Sequence, residues 1–355
     1  MSKRGRRRAK GVLRSKSYQS MEGAKPSPQE SRSLFHYTTA DGVIGIVQNQ
    51  CLFATHADFL NDSTECRAIL AVLLPRLEAQ LRDAVPKLIE RGLIHPSIIA
   101  EYGDTLYRQE AEKMLQAMVQ AANNTAPFFI CSFCIHAAGT QTYEHGLLSQ
   151  WRGYARGGFA IEFDELEIDK LNQAERGQFR YEGILTNKIA YRDHDKQVDA
   201  EAFAGLAGIL LKNLFPENTS EISDILGAKT TDDFARPFLS VAPFLKDASF
   251  EEENEYRIVA LCNRPTIADE GDDRLIKPIK FRTRSSGEVV PFISLYEQPK
   301  KRFSLTDQPK IKLPIKSIIV GPHRRQEGQR AALEILLEQT GFDVPIKFSG
   351  IPFRE

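Results

Sequence analysis

The spacing of apolar residues alternates between strand-like and helix-like along the chain. LFHYT (34–38) reads as a short strand, and DGVIGIVQN after it as a helix with Asp41 as N-cap and Val43, Ile44 and Val47 on one face. CLFAT (51–55) is a second short strand, and NDSTE (61–65) a loop whose side chains cap the next helix. Ile69, Val72, Leu73, Leu77 and Leu81 predict that helix over 65–92, which Pro75 and Pro86 should kink or divide. A further helix covers 105–122. Downstream, APFFICSF (126–133) is a buried strand, LLSQWRGYA (147–155) a short helix and GGFAIEFD (157–164) a strand. One or two strands fall in 179–192, and helical stretches in 197–214 and 231–247. EYRIVALC (255–262), VVPFISLY (289–296) and KSIIVGP (316–322) are strands. The last helix, 325–340, carries Leu333, Leu336 and Leu337 on one face and Gly341 as its C-cap. This order predicts one mixed α+β domain over 34–355, with helical insertions near 65–125 and 197–247. Segment 264–288 reads as a further insertion.

Composition narrows the class. The chain has 355 residues, 42% hydrophobic and 26% charged, which is ordinary for a globular protein. No apolar run approaches the roughly 18 residues of a membrane span. Five cysteines form no disulfide framework and suit a reducing compartment, so the expected location is cytoplasmic. Net charge is zero, but residues 1–30 hold nine Lys/Arg against two Glu. We expect residues 1–33 to be a disordered basic leader, without the apolar run of a secretory signal and with at most weak contact to nucleic acid.

Candidate chemistry is sparse. Cys131 and Cys134 form a lone CxxC without a second pair, and on a strand they face opposite ways, so no metal is expected there. No HExxH, P-loop, GxGxxG or GxSxG occurs. Glu253 and Glu255 flank Asn254 at the mouth of a strand. In extended chain they lie on one side, roughly 6–7 Å apart. Such a pair repels, raising one pKa unless a cation intervenes, and Arg257 is positioned to be that cation. His36 and Tyr37 open the first strand. Trp151, the single tryptophan, sits in a polar-aromatic knot with Gln150, Arg152 and Tyr154 and reads by itself as a core anchor.

Together these segments resemble the bacterial family catalogued as domain of unknown function 2971. The resemblance rests on LFHYTTADGVIGIVQNQCLFATHADFLNDSTE, on LLSQWRGYARGGFAIEFD, on Lys246, Phe250, Glu253, Glu255 and Arg257 within FLKDASFEEENEYRIV, and on the closing IKSIIVGP and SGIPFR. In the first block, Ser63 stands where the family usually has Pro. More weakly, the order of a His-Tyr strand, a middle aromatic block and a late E-x-E strand is similar to the ADP-ribosyltransferase superfamily. That likeness implies a mostly antiparallel split sheet flanked by helices, and NAD as a substrate. It implies that His36 holds ribose, that Tyr37 or Tyr154 stacks on nicotinamide, that Glu255 is the catalytic carboxylate and that Glu253 faces the acceptor. Thr38, Asn61, Asp62, Trp151, Arg152 and Arg257 fall within the implied NAD-binding blocks. A developing oxocarbenium charge would be met by the carboxylate.

The leading expectation is therefore an NAD-consuming enzyme, transferring ADP-ribose to protein or nucleic acid or hydrolysing NAD, as a bacterial toxin or antiviral effector would. It requires His36 and Glu255 to meet in space, and a structure that places them on opposite faces of the sheet would end it. Two alternatives stand beside it. One is a metal-dependent nuclease with Asp62, Glu65, Glu253 and Glu255 around magnesium. The other is a ligand sensor or partner-binding module in which His36, Tyr37, Trp151 and Tyr154 bind without chemistry.

Overall fold

In the computed structural model, one long sheet branches at its middle. The structure describes residues 32–60, 67–125, 127–229, 231–262, 273–284, 286–298 and 312–352. Residues 1–31 of the expected leader, and Asn61, Asp62 and Glu65, lie outside them; Arg32 and Ser33, expected to belong to the leader, are instead part of the fold, Ser33 opening the first strand and Arg32 bonded to Glu165. Residues 32–355 group as one unit. The strands are β1 (Ser33–Thr38), β2 (Leu52–His56), β3 (Phe128–Ile135), β4 (Phe159–Asp164), β5 (Phe179–Lys188), β6 (Glu255–Cys262), β7 (Leu275–Ile276), β8 (Lys280–Thr283), β9 (Val289–Leu295), β10 (Ile315–Val320) and β11 (Ile346–Phe348). They run in the order β11-β10-β4-β1-β3-β2-β9-β8, with β6 paired to β3 and β5 to β6. Among the described strands, parallel pairing is confined to β10–β11 and β5–β7, with one isolated parallel bridge between Ala190 and Leu245. The sheet is thus mixed and mostly antiparallel.

The branch lies along β3. One of its edges pairs with β6 from Phe128 to Cys134. The other pairs with β1 at Ile135 and Cys134, and with β2 at Ile130 and Phe129. Between these contacts β1 and β2 part, and the register gives Cys131, Ser132 and Phe133 no strand partner on that edge. Alternation sorts the side chains. Leu34, Cys131, Phe133, Ile161 and Ile258 enter the large core on one face, while Phe35, Tyr37, Cys134 and Ala160 pack with Trp151 on the other. The two cysteines of the CxxC therefore point apart, as strand geometry dictates.

Helix α1 (Ala40–Asn49) follows β1, and its N-cap is Thr39, not Asp41: the Thr39 hydroxyl accepts from the Gly42 amide. Asp41 sits in the first turn instead, where a carboxylate favours the helix dipole. The helix Ala68–Glu90 runs through both Pro75 and Pro86 undivided. Both prolines are exposed, so the freed carbonyls meet water, while Leu73, Leu77, Leu81 and Leu88 hold the opposite face in a second core. That core joins it to Thr105–Thr125 and to the helix Leu206–Leu214. Residues 179–188 form a single strand. The helix Glu165–Gln178, which the apolar pattern misses, buries Ile168, Asn172 and Glu175.

Trp151 fixes the segment after the short helix Leu148–Gln150. Its ring is 1% exposed, its indole N–H donates to the His145 carbonyl at 3.0 Å, and it meets Tyr37 edge-on at 4.8 Å. A Cβ on Gly321 would lie 2.8 Å from this ring and 2.8 Å from the Gly158 carbonyl oxygen. Gly321→Ala should therefore cost about 1–3 kcal/mol by overpacking. Gly177→Ala, where a Cβ meets nothing within 4 Å in a helix, should be neutral or stabilise by about 0.5–1 kcal/mol. Urea unfolding of both variants checks this; equal effects would contradict the packing described.

Candidate functional site

The gap between β1 and β2 opens into a cleft of about 630 Å³. His36 stands at the branch. Its Nδ1 is 2.9 Å from the Ser132 carbonyl oxygen, so Nδ1–H donates and Nε2 is left as an acceptor. Burial lowers the His36 pKa, with Arg282 adding to the effect against the Ser132 bond, so the ring is neutral near pH 7. His36 and Thr38 are half-buried and line the cleft.

Glu255 and Glu253 lie on its β6 side. By register His36 shares the face of Ile161 and Phe133, and Glu255 that of Cys134. Strict alternation would therefore separate them across the sheet. That is the arrangement named above as ending the transferase reading; His36, Glu253 and Glu255 nonetheless all border one cleft, at the branch where the sheet is open.

The two carboxylates do not stand in one extended strand. Glu253 ends a 3-10 turn, Ala248–Glu253, and Asn254 takes a left-handed conformation with φ 41° before β6 begins. Lys246 bridges them, with Nζ 2.7 Å from Glu253 and 3.1 Å from Glu255. Arg257 grips Glu255 with two bonds, Nε–Oε1 at 2.6 Å and Nη2–Oε2 at 2.9 Å, and donates through Nη1 to the Pro243 carbonyl. The Tyr154 hydroxyl donates to Glu253 at 3.1 Å. Burial alone would raise the Glu255 pKa, but Arg257 and Lys246 outweigh it and hold it at about 2. The cation expected between the carboxylates is thus two cations, of which Lys246 makes the bridge.

Other expected ligand-binding residues fall behind the wall. Trp151 and Arg257 are buried and Arg152 is exposed, and none of the three borders the cleft. Their residue types suggested contact; their positions make Trp151 and Arg257 supports for Tyr154 and Glu255. Tyr37 borders the cleft, but its hydroxyl binds His136 Nε2 at 2.8 Å and accepts the Leu147 amide while its ring packs on Trp151. Tyr154, carried on a π-helical turn Trp151–Ala155, is the exposed aromatic at the cleft. Such turns recur at functional sites.

Sequence reasoning left out Lys246, Arg156, Arg282 and Arg284 as cleft residues. Lys246 was visible within the acidic block. Arg282 and Arg284 alternate in KFRTR, a segment that reads as an insertion, and Arg156 follows the aromatic block in YARGG.

Residues 150–258 match the family described as "Protein of unknown function (DUF2971)". The family resemblance therefore holds over the stretch carrying Tyr154, Lys246, Glu253, Glu255 and Arg257. No curated protein and no solved structure matches the chain.

The cluster makes a pH prediction. Glu255 is held at about 2, below its ordinary 4.5. A carboxylate depressed on folding contributes stability above its unfolded pKa, and loses it as pH falls towards the folded value. The contribution, on the order of 3 kcal/mol, should vanish between about pH 4.5 and 2. Glu255→Gln should cost about 3–5 kcal/mol at pH 7, because Arg257 is left buried without its counter-ion. It should also flatten the acid slope. Unfolding at a series of pH values tests both, and an unchanged slope in the variant would refute this account.

Proposed function

We propose that the cleft binds an NAD-type dinucleotide and that the chain transfers its ADP-ribosyl group to a macromolecule or to water. The observation that carries this reading is His36: a neutral ring, locked by Ser132, with an acceptor nitrogen available to a ribose hydroxyl in a cleft that an anchored carboxylate pair also borders. In the reaction the bond between nicotinamide and ribose C1′ breaks, and its electron pair leaves with nicotinamide. Positive charge grows on the ribose, and an acceptor oxygen or nitrogen then bonds C1′ and gives up its proton. Glu253 is the carboxylate placed to meet that charge, since its side chain is 13% exposed against 5% for Glu255. Tyr154 beside it supplies an aromatic face for the leaving ring.

A second reading has its own support. Both oxygens of Glu255 are held by cations, which suits a site that binds without turnover, as a nucleotide sensor does. The nuclease reading is less well supported, because Lys246 Nζ already occupies the bridging position between Glu253 and Glu255.

Nicotinamide release from NAD by the purified chain separates these readings. Turnover is expected, and His36→Ala and Glu253→Gln should each lower kcat roughly 10²–10³-fold, as loss of one preorganised polar group does. Binding without release by the unaltered protein would favour the sensor. No binding at millimolar NAD would remove both.

A further inference from the structure

Among the described charges at the cleft, Arg282 stands apart. Lys246 and Arg257 cancel Glu253 and Glu255. Arg284 pairs with Glu288 at 3.0 Å and also donates to the Phe59 carbonyl. Asp41 faces the dipole of its own helix. Arg282 differs. Among the described residues its polar contact is Thr55 Oγ1, at 2.9 Å, and no carboxylate pairs with it. A guanidinium has five N–H donors, so most of this fork is unused.

Its setting is built, not incidental. Arg282 extends from β8, and Thr55, a buried hydroxyl on β2, pins one nitrogen. The rings of Phe53 and Phe292 lie 6.0 and 5.5 Å from its carbon centre. A stem held this way loses little freedom on binding a ligand. Arg284 comes two residues later on the same side of the chain and borders the same cleft, so two like charges converge there. Burial and the Arg284 charge both push the Arg282 pKa down, the mark of a cation whose surroundings lack an anion.

We propose that this end of the cleft is a phosphate subsite, in which Arg282, assisted by Arg284, holds the diphosphate bridge of a dinucleotide. The proposal rests on the nucleotide-binding reading of the cleft and adds the direction in which the ligand lies: diphosphate towards β8, glycosidic bond towards β6. Arginine suits the role because its planar fork meets phosphate oxygens with paired, charge-assisted bonds.

Calorimetric titration tests it, with inorganic pyrophosphate, ADP-ribose and nicotinamide as probes. Pyrophosphate should bind and should compete with ADP-ribose. Arg282→Gln should weaken both by roughly tenfold or more, since it removes a charge-assisted pair. Arg282→Lys should fall between, keeping the charge without the fork. Arg282 lies on the exposed edge strand β8, so the variants should melt like the unaltered protein. Arg108→Gln, on a distant exposed helix face, should change nothing. Pyrophosphate affinity that is unchanged in Arg282→Gln overturns the proposal. Pyrophosphate binding that depends on Arg282, without any release of nicotinamide from NAD, upholds the subsite and removes the transferase reading. Release of nicotinamide with a KM that Arg282→Gln leaves unaltered does the reverse.

Discussion

A backbone carbonyl without a strand to bond is the constraint around which the site is organised. At the branch of the sheet, Ser132 points its carbonyl into the gap between β1 and β2, and His36 Nδ1 caps it. Buried backbone groups are almost always paired, and leaving this one bare would cost on the order of 1–3 kcal/mol. The imidazole is thus committed at one nitrogen for structural reasons. That commitment fixes its tautomer and turns Nε2 into a defined acceptor. A sheet that closed without a branch would bury the same histidine and leave no cleft.

The second organising element is the group of four charges at the opposite wall, of which Arg257 alone stands behind it. Lys246, Glu253, Glu255 and Arg257 join three pieces of chain: the stretch before the 3-10 turn, the turn itself and the start of β6. Tyr154 connects this group to the π-helical turn, and Trp151 anchors that turn to the core. Buried ion pairs repay their desolvation poorly, so a hydrophobic replacement could be as stable. What they contribute is position. Two carboxylates are held and aimed, at the edge of a cleft, by partners bonded to them.

Much of the scaffold was legible because local pattern and tertiary role agree. EYRIVALC is β6 to the residue, and Gly341 ends the last helix in the left-handed conformation expected of it. Disagreements arise where tertiary packing overrides a local rule. Pro75 and Pro86 do not divide their helix, because the leucines of the other face are held in a core and the prolines face water. The helix Glu165–Gln178 escapes notice because its buried side includes Asn172 and Glu175, which bond Tyr296 and Tyr181 instead of presenting an apolar stripe. The site was legible in residue types but not in assembly. Nothing local says that β1 and β2 share one edge of β3, and so nothing local says that His36 and Glu255 reach one cleft. Nor does spacing distinguish Trp151, a support, from Tyr154 three residues on, which is exposed at the cleft.

Magnitudes decide which carboxylate faces the chemistry of the proposed reaction. A positive charge growing about 4 Å from a carboxylate gains roughly 4 kcal/mol at an effective dielectric near 20. A counter-cation about 3 Å further back returns roughly 2 kcal/mol of that. Glu255 has two such cations, Arg257 and Lys246, so its net pull on a developing cation is close to nothing. Glu253 shares a single ammonium and otherwise accepts from a neutral phenol, so about half of its field survives. In the reaction we propose, the carboxylate that the E-x-E pattern places second, deep in the strand, then serves as the anchor, and the one before it, at the end of the turn, acts on the ligand.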